Sequence, residues 1–270
     1  MDAETGGAGV NADEGVTRIN GETGAGALPE HTSHVIWDWN GTLLDDVGAV
    51  LQATTIAFQQ AGIQVEVTGE IYRRSFTRPI RLFYERLLGR PIGHDEWVRL
   101  DHAFHLEYAR LEDRCTLAAG AGQVLGEIRE LGWTQSVCSM LPEEYLLPAV
   151  ERQGITGHFV RVDGLRGAER GGAKLRNLIA HLDHLGVSPS RTVMVGDTVD
   201  DAVAARGAGI ACILLDSGTG LHDSETIRSA GVPVAAGVPE AFALLRRGAP
   251  APRLQATGPH SHGRRRGRAR

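Results

Sequence analysis

Two short acidic segments hold the residue types that polar chemistry needs. The first, HVIWDWNGTLLDD at 34–46, places Asp38 where an apolar run stops, with Gly41 three residues on. A carboxylate in that position can attack phosphorus or hold a hard cation. Gly41 lets the backbone turn tightly and leaves amides free to face an anion. Asp, Asn, Gly and Thr are also turn formers, so a plain turn is the structural alternative. The second segment, TVMVGDTVDD at 192–201, brings Asp197, Asp200 and Asp201 within five residues. Carboxylates that close repel one another unless a cation joins them, although they also complement the positive end of a following helix. Together with Asp38 they predict an all-oxygen site suited to Mg²⁺.

Two further residues suit a phosphate. Ser139 closes the apolar run 133–138, so its hydroxyl can reach a phosphoryl oxygen. Lys174 follows the Gly171–Gly172 pair, and it is the single lysine among 28 basic residues. A sequence that uses arginine everywhere else keeps an ammonium where a compact point charge is needed instead of a planar fork. Retention on a solvated helix face is the alternative. The glycines at 167–172 resemble a phosphate-binding loop only loosely, because the Gly-Lys-Ser/Thr adjacency is missing; no strand-linked GxGxxG marks a dinucleotide site.

Strand–helix alternation must position these residues. Apolar runs at 34–37, 133–138, 158–162, 192–195, 210–215 and, weakly, 232–235 read as strands. Stripes at 123–131 and 175–185 read as helices. This pattern predicts an α/β fold with a parallel sheet covered on both faces, whose ligands bind at the carboxyl ends of the strands. The segments 47–61, 81–88 and 96–111 read as amphipathic helices without an intervening strand. They define an all-helical insert, a cap at 47–114, between the core pieces 32–46 and 115–247. Segments 1–31 and 248–270 lack apolar periodicity and are expected to be disordered. The six arginines of the second read as a solvated appendage, with nucleic-acid binding as the rival. With 42% hydrophobic and 23% charged residues the composition is that of a soluble globular protein. No apolar run reaches membrane-spanning length and no signal peptide is visible. Cys115, Cys138 and Cys212 are scattered and unpaired, as expected in a reducing cytoplasm.

Taken in order, DWNGTL at 38–43, the strand ending in Ser139, Lys174, and Gly-Asp-x-x-x-Asp at 196–201 resemble the four motifs of the haloacid dehalogenase superfamily. The likeness runs over about residues 34–245, and the helical insert resembles the cap of its phosphoglycolate phosphatase-like branch. It implies a Rossmann-like core and Mg²⁺-dependent hydrolysis of a small phosphorylated metabolite through an aspartyl-phosphate on Asp38. By the same resemblance Ser139, Lys174 and the backbone amides around Trp39–Gly41 clamp the phosphate, and Thr42, counted with them, fixes the loop by a hydrogen bond. Mg²⁺ is held by Asp38, the Asn40 carbonyl and Asp197, with Asp201 acting through water or orienting Lys174. The cap loop 75–79 faces substrate, with Arg78 available to an anionic group. The pattern breaks at Asn40, where the family's phosphatases carry an aspartate as general acid and base. An amide can neither protonate a leaving alkoxide nor deprotonate water, a loss worth about 10²–10⁴-fold. Three readings follow. The leaving group departs unprotonated, as from an acyl phosphate, an activated ester or a phosphonate; the proton comes from Asp45, Asp46 or a cap residue; or the protein is a weakly catalytic binder of a phosphorylated ligand.

Overall fold

All four residues of β1 (His34–Trp37) are buried, the mark of a strand covered on both faces of a sheet. The structure, a computed structural model, describes residues 27–166 and 174–247. Of the segments expected to be disordered, 1–26 and 248–270 lie outside the described residues, as does the glycine-rich stretch 167–173; residues 27–31 are described, and Leu28 packs against the core.

After β1 come β2 (Leu44–Asp45) and four helices: α1 (Val47–Gln60), α2 (Gly69–Ser75), α3 (Ile80–Leu88) and α4 (His94–Glu112). The chain then returns through β3 (Thr116–Leu117), which pairs antiparallel with β2. Alternation follows: α5 (Ala121–Glu130), β4 (Thr134–Pro142), α6 (Glu143–Arg152), β5 (Arg161–Leu165), α7 (Lys174–Leu185), β6 (Thr192–Gly196), α8 (Val199–Gly207), β7 (Ala211–Leu215), α9 (Ser224–Ser229), β8 (Val234–Ala235) and α10 (Val238–Arg247). The main sheet has the order β5-β4-β1-β6-β7-β8 and every pairing in it is parallel. From β1 the chain builds outward on one side through β4 and β5, then crosses to build the other side. The switch point therefore lies at the carboxyl end of β1, between β4 and β6. Trp37 is in register with Val137 on one side and Val195 on the other. Residues just past that level on three strands converge on one edge: Asp38, Ser139 and Asp197.

Several elements differ from the sequence expectation. The strand expected at 158–162 begins at Arg161, because the His158 and Phe159 amides bond back to Ile155 and Thr156 in a 3₁₀ turn. The strand expected to stop before Ser139 runs on to Pro142, with a register irregularity after Cys138. Helix α2 is additional. It is seven residues long, too short for a periodic signal, and starts because the Thr68 hydroxyl accepts from the Ile71 amide. Cys138 and Cys212 are buried and Cys115 half-buried, all three as free thiols. Among the described residues no helix is long and apolar enough to cross a membrane.

Candidate active site

The carboxyl edge of the sheet gathers a dense set of charges. Lys174 opens α7 and is 4% exposed; its Nζ lies 2.7 Å from Asp38 Oδ1 and 2.5 Å from Asp201 Oδ1. Carboxylate oxygens of Asp38, Asp197 and Asp201 all fall within 4.8 Å of one another. One ammonium thus faces three buried carboxylates. Burial first, and then the neighbouring Asp201 charge, lifts the Asp38 carboxyl to about 6, against the pull of Lys174. Asp197 is pushed well above the ordinary carboxylate range by burial and by the charges of Asp38 and Asp201. Asp201 moves the other way: despite burial, Lys174 and the Thr198 hydrogen bonds hold it ionised. The same two carboxylates hold the Lys174 ammonium charged against its own burial. A surplus of buried negative charge on hard oxygen donors fits a divalent cation of the Mg²⁺ type.

Local sequence explains these placements. Thr198 caps α8 and Asp201 closes the capping box: Thr198 Oγ1 accepts from the Asp201 amide while Asp201 Oδ2 accepts from Thr198 N and Oγ1. Both Asp201 oxygens are thereby engaged, one by the cap and one by Lys174. Gly196 ends β6, where a side chain would collide with the Asp201 carboxylate. Gly41 has φ 68°, and a Cβ there would run into the Asp197 carboxylate.

The β1 loop departs from its expected use. The Gly41 amide, expected to face an anion, donates to Asp46 Oδ1 at 2.8 Å. Thr42 is fully buried and donates to Asp197 Oδ1 at 3.3 Å, the loop-fixing hydrogen bond expected of it. The Trp39 ring is buried, with Nε1 directed at Glu112 Oε1 at 3.5 Å. None of these three lines the cleft described below, whereas Asp38, Asn40, Ser139, Lys174 and Asp197 do. Ser139 Oγ accepts from the Leu141 amide at 3.1 Å.

Asn40 is held by partners that sequence reasoning only partly foresaw. Its amide nitrogen donates to Asp46 Oδ2 at 2.7 Å and to the Tyr108 hydroxyl at 2.6 Å, and that hydroxyl donates to Asp46 Oδ2 at 2.7 Å. Both amide hydrogens are spent in this triangle, so Asn40 has none for a leaving group. Asp46, weighed as a proton source, is fully buried; burial raises it, against hydrogen bonds from Tyr108, Asn40 and Gly41. Asp45 is exposed. Tyr108 reaches in from α4 and carries no motif that would announce it.

Between this edge and helices α2–α4 lies a cleft of about 190 Å³. Arg78, in the loop before α3, lines it with its Nε 2.8 Å from Asp200 Oδ2. That contact uses one of the five guanidinium donors, so Arg78 faces the cleft with Asp200 beside it. Leu221 and His222, from the loop after β7, also line the space and were not anticipated.

The family model of haloacid dehalogenase-like hydrolases matches residues 32–209. A phosphoglycolate phosphatase of Caulobacter vibrioides is 26% identical over 226 residues, spanning 81% of this chain and 94% of the relative. Another phosphoglycolate phosphatase, from Chromobacterium violaceum, is 25% identical over 202 residues, 73% of this chain and 90% of the relative. Among solved structures, a hydrolase from Pseudomonas syringae superposes with a TM-score of 0.68 at 18% identity, covering 81% of this chain and 100% of that one. CbbY from Rhodobacter sphaeroides, solved with phosphate, superposes at 0.61 and 19% identity, over 76% and 94% of the two chains. At such identities the two structures speak to the fold.

Proposed function

Since the chain belongs to the haloacid dehalogenase-like hydrolases, we propose that it is a Mg²⁺-dependent phosphatase acting on a small phosphorylated metabolite, with Asp38 as nucleophile. The observation that carries this reading is the bridge from Lys174 to Asp38 and Asp201 beside the unneutralised Asp197.

Asp38 attacks phosphorus in line. The new bond joins a carboxylate oxygen to phosphorus while the ester P–O bond breaks, its electron pair leaving with the ester oxygen. Water then attacks the phosphorus of the aspartyl-phosphate, releasing inorganic phosphate and restoring the Asp38 carboxylate. Lys174 holds Asp38 in place and offers its ammonium to a phosphoryl oxygen, and the Ser139 hydroxyl offers a neutral donor beside it. Asp38, Asp197 and the Asn40 carbonyl would hold Mg²⁺, which when bound would offset the negative charge of the phosphoryl oxygens. Asp201 acts through Lys174, which it keeps charged and aimed. With its hydrogens committed to Asp46 and Tyr108, Asn40 fixes the loop and supplies no proton. The helices between β2 and β3 serve as the cap that closes the site. Three free thiols suit a reducing compartment such as the cytoplasm.

A panel of phosphate monoesters and acyl phosphates, assayed for released phosphate with Mg²⁺ and again with EDTA, tests the reading. Turnover that EDTA abolishes is the expected result. Turnover indifferent to EDTA, or none on any substrate, contradicts it.

A further inference from the structure

The wall of the cleft opposite Asp38 is built from rings. Of the chain's four Trp, four Tyr and six Phe, seven line this one space. Phe76 stands 5.5 Å from Phe83 between ring centroids, Phe83 5.6 Å from Tyr84, and Tyr84 5.6 Å from Trp97. Phe104 stacks on Tyr108 at 5.7 Å. His222 sets its ring against Phe76 at 4.5 Å, and burial drops its pKa to about 4, so it stays neutral. These rings pack on one another, and the wall they form also lines the cleft that reaches the nucleophile.

The charges of the cleft support the same conclusion. Among the described residues, the Lys and Arg side chains that line it are Lys174 and Arg78, and each already faces carboxylates. His105 lies 3.6 Å from Asp101. A substrate bearing a second anionic group beyond its phosphate, such as a carboxylate, would find Arg78 as its cation and would have to compete there with Asp200. A flat, uncharged group would meet aromatic faces at once.

We infer that the site takes a phosphate monoester of an uncharged, ring-bearing hydroxyl compound, an aryl phosphate whose ring lies against the Phe76–Phe83–Trp97 wall. This rests on the phosphatase reading above and narrows it. It also accounts for Asn40. When Asp38 forms its bond to phosphorus, the breaking P–O bond gives its electron pair to an aryl oxygen, which leaves as a phenoxide and takes its proton from water. A phenol has a pKa of about 10, so this departure needs no positioned acid, unlike that of a strongly basic alkoxide. Water then cleaves the aspartyl-phosphate at phosphorus, and its protons pass to the phosphate and the solvent.

Steady-state kinetics of the full chain with Mg²⁺ on 2-naphthyl phosphate, phenyl phosphate, 2-phosphoglycolate and acetyl phosphate test the inference. The two aryl esters have leaving groups of similar basicity, so their ratio reads ring contact and not leaving ability. We expect kcat/KM for the naphthyl ester to exceed that for the phenyl ester by about tenfold, and both to exceed phosphoglycolate by about 100-fold. Trp97→Ala should lower the naphthyl-to-acetyl phosphate ratio about tenfold, mainly through KM, and Trp97→Phe should recover most of it. Should Trp97→Ala fail to fold by circular dichroism, Leu221→Trp, which fills part of the cleft, should lower the same ratio. Phosphoglycolate turned over as well as the aryl esters, or ratios unmoved by these variants, would overturn the inference. Acetyl phosphate turnover would then leave the phosphatase reading standing. No turnover of any of the four would remove both.

Discussion

Helix α7 takes part in two buried polar clusters that obey opposite rules. At its first residue Lys174 faces three carboxylates. Seven residues on, about 10 Å along the helix axis, His181 joins a chain of matched partners. His181 Nδ1 meets Asp163 Oδ2 at 2.7 Å, and its Nε2 meets Ser136 Oγ at 2.8 Å. Ser136 Oγ also meets His34 Nε2 at 2.8 Å, and His34 Nδ1 meets Thr134 Oγ1 at 2.7 Å. Arg161 and Arg166 neutralise Asp163. The second cluster contains serine, histidine and aspartate in contact, the residue types of a hydrolase triad. Yet Ser136 and His181 are 0% exposed, and neither lines the cleft. A buried network whose groups satisfy one another specifies structure. A buried cluster with surplus charge, opening on a cleft, is where a ligand completes the balance.

The largest contrast should come from removing one group in each cluster. Asp38→Asn should cut turnover by at least about 10³-fold with the melting temperature kept, since it removes the nucleophile and one of several repelling charges. Ser136→Ala should leave turnover unchanged and lower stability by about 1–3 kcal/mol, because two histidine nitrogens lose their partner. Phosphatase assays and urea melts on both variants check this; the reverse assignment of effects would erase the distinction.

Next in size is Lys174→Arg. A guanidinium does not fit where Nζ sits 2.7 Å and 2.5 Å from two carboxylates in a closed space, so kcat should fall about 100-fold although the charge is kept. Kinetics equal to the native protein's would show that the lone lysine is incidental.

A third test moves charge into the Asn40 triangle. Asn40→Asp sets a carboxylate about 2.7 Å from Asp46 Oδ2, so the pair must retain a proton. A carboxyl raised in this way contributes its stability at low pH and loses it as pH rises through the raised value. The variant should therefore melt lower at pH 8 than at pH 5, relative to the native protein. Adding Asp46→Asn should restore the melt and release the introduced carboxyl as an acid, speeding alkyl phosphate hydrolysis by up to about 10²–10⁴-fold. A double variant no faster than the native protein would place the limiting step elsewhere.

What was legible follows the same division. That Asp38, Ser139, Lys174, Asp197 and Asp201 gather at one edge was legible because chemistry restricts their residue types, while the ends of β1 and β6 and the starts of α7 and α8 place four of them. The target of the Gly41 amide was not legible, because where it points depends on Asp46, and the partner of Thr42, Asp197, lies 155 residues away in sequence. The ring-lined wall was hidden for a different reason. Phe83, Trp97 and Phe104 sit on helical stripes, and a stripe that faces a cleft has the same spacing as one that faces a core. The two-residue strands β2 and β3 are too short to carry a pattern at all.

A last test probes the satisfied cluster by pH. Burial, with His181 nearby, lowers His34 from 6.5 to about 4, and burial lowers His181 as well. Between pH 6.5 and 4 the unfolded chain binds a proton at His34 that the folded one refuses, so stability should fall as pH falls, by at most about 3 kcal/mol. His34→Gln should flatten that slope in urea melts; an identical slope would mean that His34 is not held neutral.

The central claim is that Asp38 carries the phosphoryl group. Acid quench during steady-state turnover, borohydride reduction and peptide mass spectrometry would convert a trapped aspartyl-phosphate to homoserine. The account predicts homoserine at position 38 alone, dependent on substrate and absent from Asp38→Asn; homoserine at Asp197 or Asp201 instead, or at no position while phosphate is being released, would contradict it.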